Sequence, residues 1–411
     1  MPPVRHPQDH DDARIPTRLT ERLGIEHPVI SAPMAFAAGG RLAAAVTAAG
    51  GLGLIGGGYG DPDWLETELR AAGNHRVGCG FITWSLARRP ALLELVLARD
   101  PAAVCLSFAD PAPFAPAVRA AGAALICQVQ TLVHARRALE VDADVVVAQG
   151  SEAGGHGARR ATMTLVPEVA DEIARTGSDA CLCAAGGIAD GRGLAASLML
   201  GADGVLVGSR LWATEEACVP EPMLVAALAA GGDDTVRSSV MDVARELDWP
   251  PGWTARVLRN GFTDRWHDDL EGLRAAVTTE GPRWTAAWEA GDTSVANTFV
   301  GEVAGLIDAI EPAGDVVARI VAEARALLDR RGALRDGALA RDALSPASPR
   351  RSRRTAARAA AVRRASSRGA RSPSLPPCRP LRAARTPSPP RRPRRARGRP
   401  RSPSPAPRRR G

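Results

Sequence analysis

The sequence predicts an α/β protein folded as a (β/α)₈ TIM barrel, and three observations predict it. Short apolar runs alternate with longer helical patterns from Pro28 onward, and repeated βα units make parallel strands. Eight such units are complete by Ser209, a number that suits a closed barrel. The glycine-rich turns follow the later strands, whereas an open doubly wound sheet places its glycine loop after strand one.

In chain order the strands are expected at 28–32, 51–55, 76–82, 102–108, 124–129, 144–149, 180–184 and 204–207. The helices between them are expected at 40–49, 63–72, 90–99, 113–121, 132–140, 165–175 and 192–200. Several begin at a proline or an acid and stop at a glycine such as Gly50, Gly73, Gly122 or Gly201, the usual helix punctuation. After Ser209 the pattern changes. Most of the tryptophans, Trp249, Trp253, Trp266, Trp284 and Trp288, lie in a stretch that reads as helical. The organisation expected is a polar segment 1–20, a barrel 21–212, a small helical lobe 213–298 over the barrel mouth, and a return to the barrel at 299–340. Within that return, 300–326 reads as two amphipathic helices split at Glu311-Pro312. From Arg341 to Gly411 the chain is Arg, Pro, Ser and Ala, which buries no core and is expected to be disordered.

That tail distorts the charge. It holds 23 arginines and one acid, while residues 1–340 carry 30 arginines against 44 acids. The net charge of +8 is therefore no argument that the folded part binds nucleic acid. Such binding is expected only through the tail, and no aromatic residue interleaves its arginines to stack on bases. The chain has no lysine. Its 7 cysteines lack paired metal-ligand spacing, so no metal site is expected, and buried thiols in a reducing compartment are. No stretch reaches the roughly 18 apolar residues of a membrane span, and residues 1–15 have no apolar signal core. A cytoplasmic protein, monomer or homodimer, is the expectation.

The chemistry gathers at strand ends. Ala32-Pro33-Met34 closes strand one, at the barrel top, with a rigid proline and a soft apolar methionine. Gln149-Gly150-Ser151-Glu152-Ala153-Gly154-Gly155-His156 follows strand six. Gln149 offers an amide to a heterocycle edge. Gly154 and Gly155 permit close ligand approach. His156, with an unperturbed pKa near ~6.5, suits proton abstraction at neutral pH. Glu152 either orients that imidazole or caps the loop. Gly186-Gly187 and Leu206-Val207-Gly208-Ser209 follow strands seven and eight, where a barrel of this class holds a phosphate. Arg210 is either a phosphate partner or a surface residue. A phosphate cradle beside a loop-borne histidine implies a phosphate-bearing cofactor and a base in one cleft. The Ala, Val and Leu content implies an apolar substrate cavity.

Together the segments Ala32-Pro33-Met34, 149–156, 184–193 and 201–209 resemble the nitronate monooxygenase family, formerly called 2-nitropropane dioxygenases, over residues 23–326. The resemblance implies an FMN-containing barrel with a small second lobe. Ala32, Pro33 and Met34 would line the flavin, with Gln149 and Gly154 in contact with it. Gly187, Leu206, Val207, Gly208 and Ser209 would hold its phosphate, and His156 would be the catalytic base. The implied partners are an alkyl nitronate or nitroalkane and O2, with a carbonyl compound and nitrite as products and no reduced nicotinamide. Two departures stand out. Gly78-Cys79-Gly80 occupies a position where the family often has an asparagine, and Leu206-Val207-Gly208-Ser209 stands where many members have Gln-Met-Gly-Thr. The related FMN- and NADPH-dependent enoyl-acyl-carrier-protein reductases share the Glu152–His156 run and resemble residues 162–167, which makes them the alternative.

Overall fold

The computed structural model describes residues 14–335. Residues 1–13 and the whole tail from 341 lie outside them, so the expectation of tail disorder is not addressed by the structure.

Eight parallel strands form one sheet: β1 (Val29–Ser31), β2 (Leu54–Gly58), β3 (Gly78–Ile82), β4 (Ala103–Ser107), β5 (Ala124–Val129), β6 (Val145–Gln149), β8 (Cys181–Ala185) and β9 (Gly204–Val207). β7 (Gly155–Gly157) belongs to a second sheet. The barrel order is β1-β9-β8-β6-β5-β4-β3-β2. The circle closes where Leu52 pairs with Ile30, through Ser31 N–H to the Leu52 carbonyl (2.9 Å) and Leu52 N–H to the Val29 carbonyl (3.0 Å).

Strand alternation divides the core. Ile30, Leu54, Cys105, Ile126, Val145, Val147, Cys183 and Leu206 form one buried cluster inside the barrel. Their neighbours Val104, Cys127, Val146, Leu182 and Val207 belong to the cluster between strands and helices. Leu19, from the helix Arg18–Leu23, joins the inner cluster and is fully buried against Gly204 at the N-terminal end. Cys79, Cys105, Cys127, Cys181 and Cys183 lie within this packing, and burial raises the Cys105 thiol to about 12, which keeps it protonated and unreactive at neutral pH.

The second strand is displaced from expectation by three residues. It runs through Gly56-Gly57-Gly58 rather than stopping before them. A Cβ on Gly56 would overlap the Met34 carbonyl and one on Gly57 would press the Phe81 ring. They are strand glycines required by close neighbours. The sixth helix of those expected also begins earlier, at Thr162 rather than 165.

Beyond Ser209 the helices include Glu221–Ala229, Val240–Ala244, Gly261–Trp266, Leu270–Ala275 and Val277–Ala290. To these the structure adds β10 (Thr235–Ser238) and β11 (Thr254–Leu258), which make an antiparallel sheet in the order β10-β11-β7. A separate core forms here around Met241, Val257, Phe262 and Trp284. The two helices expected within 300–326 are instead a short 3-10 turn, Glu302–Leu306, and one long helix, Ala313–Arg335. Gly301 precedes the 3-10 turn and packs against the Glu152 carbonyl with no room for a side chain. The long helix lies on the helices Gly191–Met199 and Gly40–Ala48 and so stands in the outer ring. No helix among the described residues is long and apolar enough to cross a membrane.

Candidate active site

The loops after β6, β8 and β9 converge at the C-terminal end of the barrel. Gly186 (φ 100°) and Gly187 (φ 75°) adopt left-handed backbone that disfavours any side chain, and this turns the chain sharply after β8. Gly186 packs against Gly150 and Ala153 of the β6 loop. Gly154 packs against Gly301 and the Ser209 hydroxyl. Gly208 faces Ala32 and the Met34 sulfur, with about the room of an ordinary methyl contact. Ala32 N–H in turn reaches the Val207 carbonyl at 2.9 Å. Ala32, Met34, Gly154, Gly186, Gly187, Gly208 and Ser209 are thus brought to one end of the fold. Pro33 sits beside them over Gly80, whose Cβ would strike its ring.

Ser209 heads the short helix Ser209–Trp212, so its N–H has no acceptor inside the helix. Its hydroxyl oxygen accepts from Gly301 N–H at 2.8 Å, which leaves the hydroxyl proton for an anion. Arg210 is neither a phosphate ligand nor a surface residue. It is buried, pairs with Glu311 at 2.5 Å and donates to the Ala213 carbonyl at 2.9 Å. The Glu152 alternative resolves toward the loop. Its carboxylate accepts from Thr162 N–H (3.0 Å) and Thr162 Oγ1 (2.9 Å), capping the helix Thr162–Thr176.

Three glutamines meet behind the loop. Gln149 Oε1 accepts from Gln130 Nε2 (2.8 Å) and Gln128 Nε2 (3.1 Å), and Gln149 Nε2 donates to the His156 carbonyl (3.0 Å). Gln149 therefore holds the histidine's backbone. Gln130 Oε1 is buried with no donor among the described residues, an acceptor suited to a heterocycle N–H.

His156 is not on a free loop. It lies in β7, paired opposite Ala255 of β11. Nothing in Gly155-His156-Gly157 alternates polar and apolar, so the strand exists because β11 offers an edge. The loop before it is anchored by two arginines on the Ser151 carbonyl, Arg256 at 2.9 Å and Arg237 at 3.2 Å.

The imidazole is fixed on two sides. Its Nε2 lies 3.0 and 2.9 Å from the two oxygens of Asp242, which sits on the helix Val240–Ala244 and is itself held by Arg245 at 3.0 Å. Its face stacks on Trp249, with centroids 3.6 Å apart and planes 6° from parallel. Both side chains of the His–Asp pair are almost fully buried, 9% and 4% exposed. Burial lowers the imidazole pKa below its usual value, although Asp242 pulls the other way, so the ring is neutral at pH 7. A neutral ring donating Nε2–H to Asp242 carries its lone pair on Nδ1, and no hydrogen bond to Nδ1 occurs among the described residues. Asp242 and Arg245 were not singled out from sequence, and Trp249 was noted only as one of the lobe's tryptophans. No local pattern marks them, because they come from the lobe, 86 residues beyond His156 in the case of Asp242.

The family profile of nitronate monooxygenase matches residues 16–75 and 86–323. The gap spans the Gly78-Cys79-Gly80 segment that departs from the family pattern. The chain is 33% identical over 343 residues to the nitronate monooxygenase of Neurospora crassa, covering 72% of this chain and 89% of the relative. It is 34% identical over 273 residues to a Mycobacterium tuberculosis (3aS,4S,5R,7aS)-5-hydroxy-7a-methyl-1-oxo-octahydro-1H-indene-4-carboxyl-CoA dehydrogenase, covering 65% and 74%. Among solved structures, FabK from Thermotoga maritima superposes with a TM-score of 0.66 at 30% identity, over 77% of this chain and 99% of that one. A profile matched over most of the chain, on a closed eight-stranded barrel, makes this protein an oxidoreductase of the nitronate monooxygenase family.

Proposed function

We propose that the chain is an FMN-dependent enzyme that oxidises nitronates, and nitroalkanes after deprotonation, with O2. The observation that carries this reading is the buried, neutral His156, held at Nε2 by Asp242 with Nδ1 unengaged. The residues at the barrel end fit FMN: a hydroxyl proton and a helix-start N–H at Ser209 for its phosphate, and the unsatisfied Gln130 Oε1 for a ring N–H. When bound there, FMN supplies electron transfer from the nitronate and onward to O2.

The remaining chemistry belongs to the chain. His156 Nδ1 takes the α-proton of a nitroalkane, and the imidazolium that forms is stabilised by Asp242. The charged ring then faces the anionic nitronate and holds it by hydrogen bonding. A substrate supplied as nitronate needs no proton removed, so it does not call on His156 as a base. Ala32, Pro33, Met34 and Gly154 act by shape, as small or apolar groups against a flat ligand.

The second reading is thioester chemistry, favoured by the FabK superposition and the CoA-ester dehydrogenase relative. One experiment separates the two. The flavin-loaded protein is mixed anaerobically with a nitronate or with NADPH, and bleaching of the flavin bands is followed. Bleaching by the nitronate, with nitrite released on admitting oxygen, is expected. Bleaching by NADPH alone would replace this proposal with the reductase.

A further inference from the structure

The chain is poor in aromatic residues, at 4%, yet Tyr59, Trp84, Phe108, Trp249 and Trp253 crowd the barrel mouth next to His156. Trp249 touches Trp84 and Phe108 with centroids 5.3 and 5.1 Å apart, and Phe108 meets Trp253 at 5.2 Å. All five are half-buried, and none belongs to either the barrel cores or the lobe core. A half-buried apolar cluster left outside the packing cores marks a binding surface. Phe108 also carries φ 72°, a left-handed backbone that bulky residues rarely adopt, and such strain persists where surrounding structure enforces it at functional sites.

Topology places this wall. Tyr59 and Phe108 directly follow β2 and β4, Trp84 comes two residues after β3, and the phosphate-type glycines follow β8 and β9. In the barrel order β3 stands diametrically across from β8. A ligand anchored on the β8 and β9 loops and reaching over the barrel axis meets aromatic faces, not the Ala, Val and Leu lining that composition implied. A donor waits there as well: Trp84 Nε1–H is buried and has no acceptor among the described residues.

We propose that the site takes a flat aromatic carbon acid, an aryl-substituted nitroalkane or its nitronate. Its ring lies on the wall of Trp249, Phe108 and Trp84, and its acidic carbon faces His156. His156 covers one face of Trp249, His134 stacks on Trp253, and Arg88 and Arg245 lie over Trp84 and Tyr59, so the ligand meets the edges and remaining faces of these rings. Each aromatic pair it makes there adds affinity beyond its buried area, a gain short aliphatic nitroalkanes lack. This rests on the nitronate reading for the reacting group, and the test separates the two. Phenylacetate and propanoate are unreactive carboxylate counterparts of the aryl and ethyl nitronates. Their binding to the full, flavin-loaded chain is measured by titration calorimetry, alongside nitrite release from the two nitronates themselves. Phenylacetate is expected to bind about tenfold tighter than propanoate. Phe108→Leu and Trp84→Leu, each checked for an unchanged melting curve, are expected to remove most of that preference. Equal affinities, or a preference intact in both variants, would overturn the aromatic wall. A preference that stands while neither nitronate yields nitrite keeps the wall and removes the nitronate reading.

Discussion

Asp242 decides what His156 can do. A lone buried imidazole has two tautomers, and only one leaves Nδ1 basic; the carboxylate at 2.9 Å selects it. His156→Ala is expected to lower nitroalkane turnover by about 10²–10⁴-fold, while a nitronate supplied ready-made loses far less. Equal losses on both substrates, measured as nitrite release, would remove the base role. The acid limb of the nitroalkane profile follows the same logic. Burial lowers the His156 pKa, so the neutral base persists below the usual histidine range and activity falls only at more acid pH. Asp242 raises that pKa, so Asp242→Asn is expected to move the limb further to acid while turnover drops about tenfold or more. A pH–rate profile shifted toward neutrality contradicts this. His156 itself was legible in sequence because glycines flank it after an apolar run. Its partner was not, because nothing within the reach of a motif marks an aspartate in a five-residue lobe helix.

At the scale of elements, the barrel followed from periodicity. β5 and β9 begin and end where the alternation says they do, and the other strands differ mainly at their ends. Helix punctuation was equally readable. Gly122 ends the helix Ala115–Ala120 at φ 71° with nothing near its missing side chain, so backbone conformation alone requires it. Gly122→Ala is expected to cost about 1 kcal/mol in a denaturant melt, without a change in ligand affinity. An unchanged midpoint would show that the turn relaxes freely. The elements missed share one property. β7, β10 and β11 carry no apolar alternation sufficient to mark them. β7 depends on the edge of β11 rather than on its own residues, whereas β10 and β11 bury Val236 and Val257 in the lobe core but are too short to show a period; β2 was displaced because its glycines carry no side chain to mark a strand.

The whole molecule combines an acidic folded body with a tail holding 23 arginines. Deleting 345–411 is expected to abolish any binding to nucleic acid and to leave the flavin spectrum and nitrite release unchanged; a gel-shift and an absorbance scan check both. Loss of the flavin on truncation would tie the tail to the site. The sequence by itself determined the barrel, its glycine loops and the histidine. All three are written in local pattern: alternation, turn chemistry and spacing over a few residues. Only the tertiary structure decided how the histidine is held. The β7–β11 pairing, the Asp242 carboxylate, the Trp249 face and the aromatic wall join residues from opposite sides of the barrel and from a separate lobe. Those contacts form by burial and shape between distant segments, and such complementarity leaves no periodic trace along the chain.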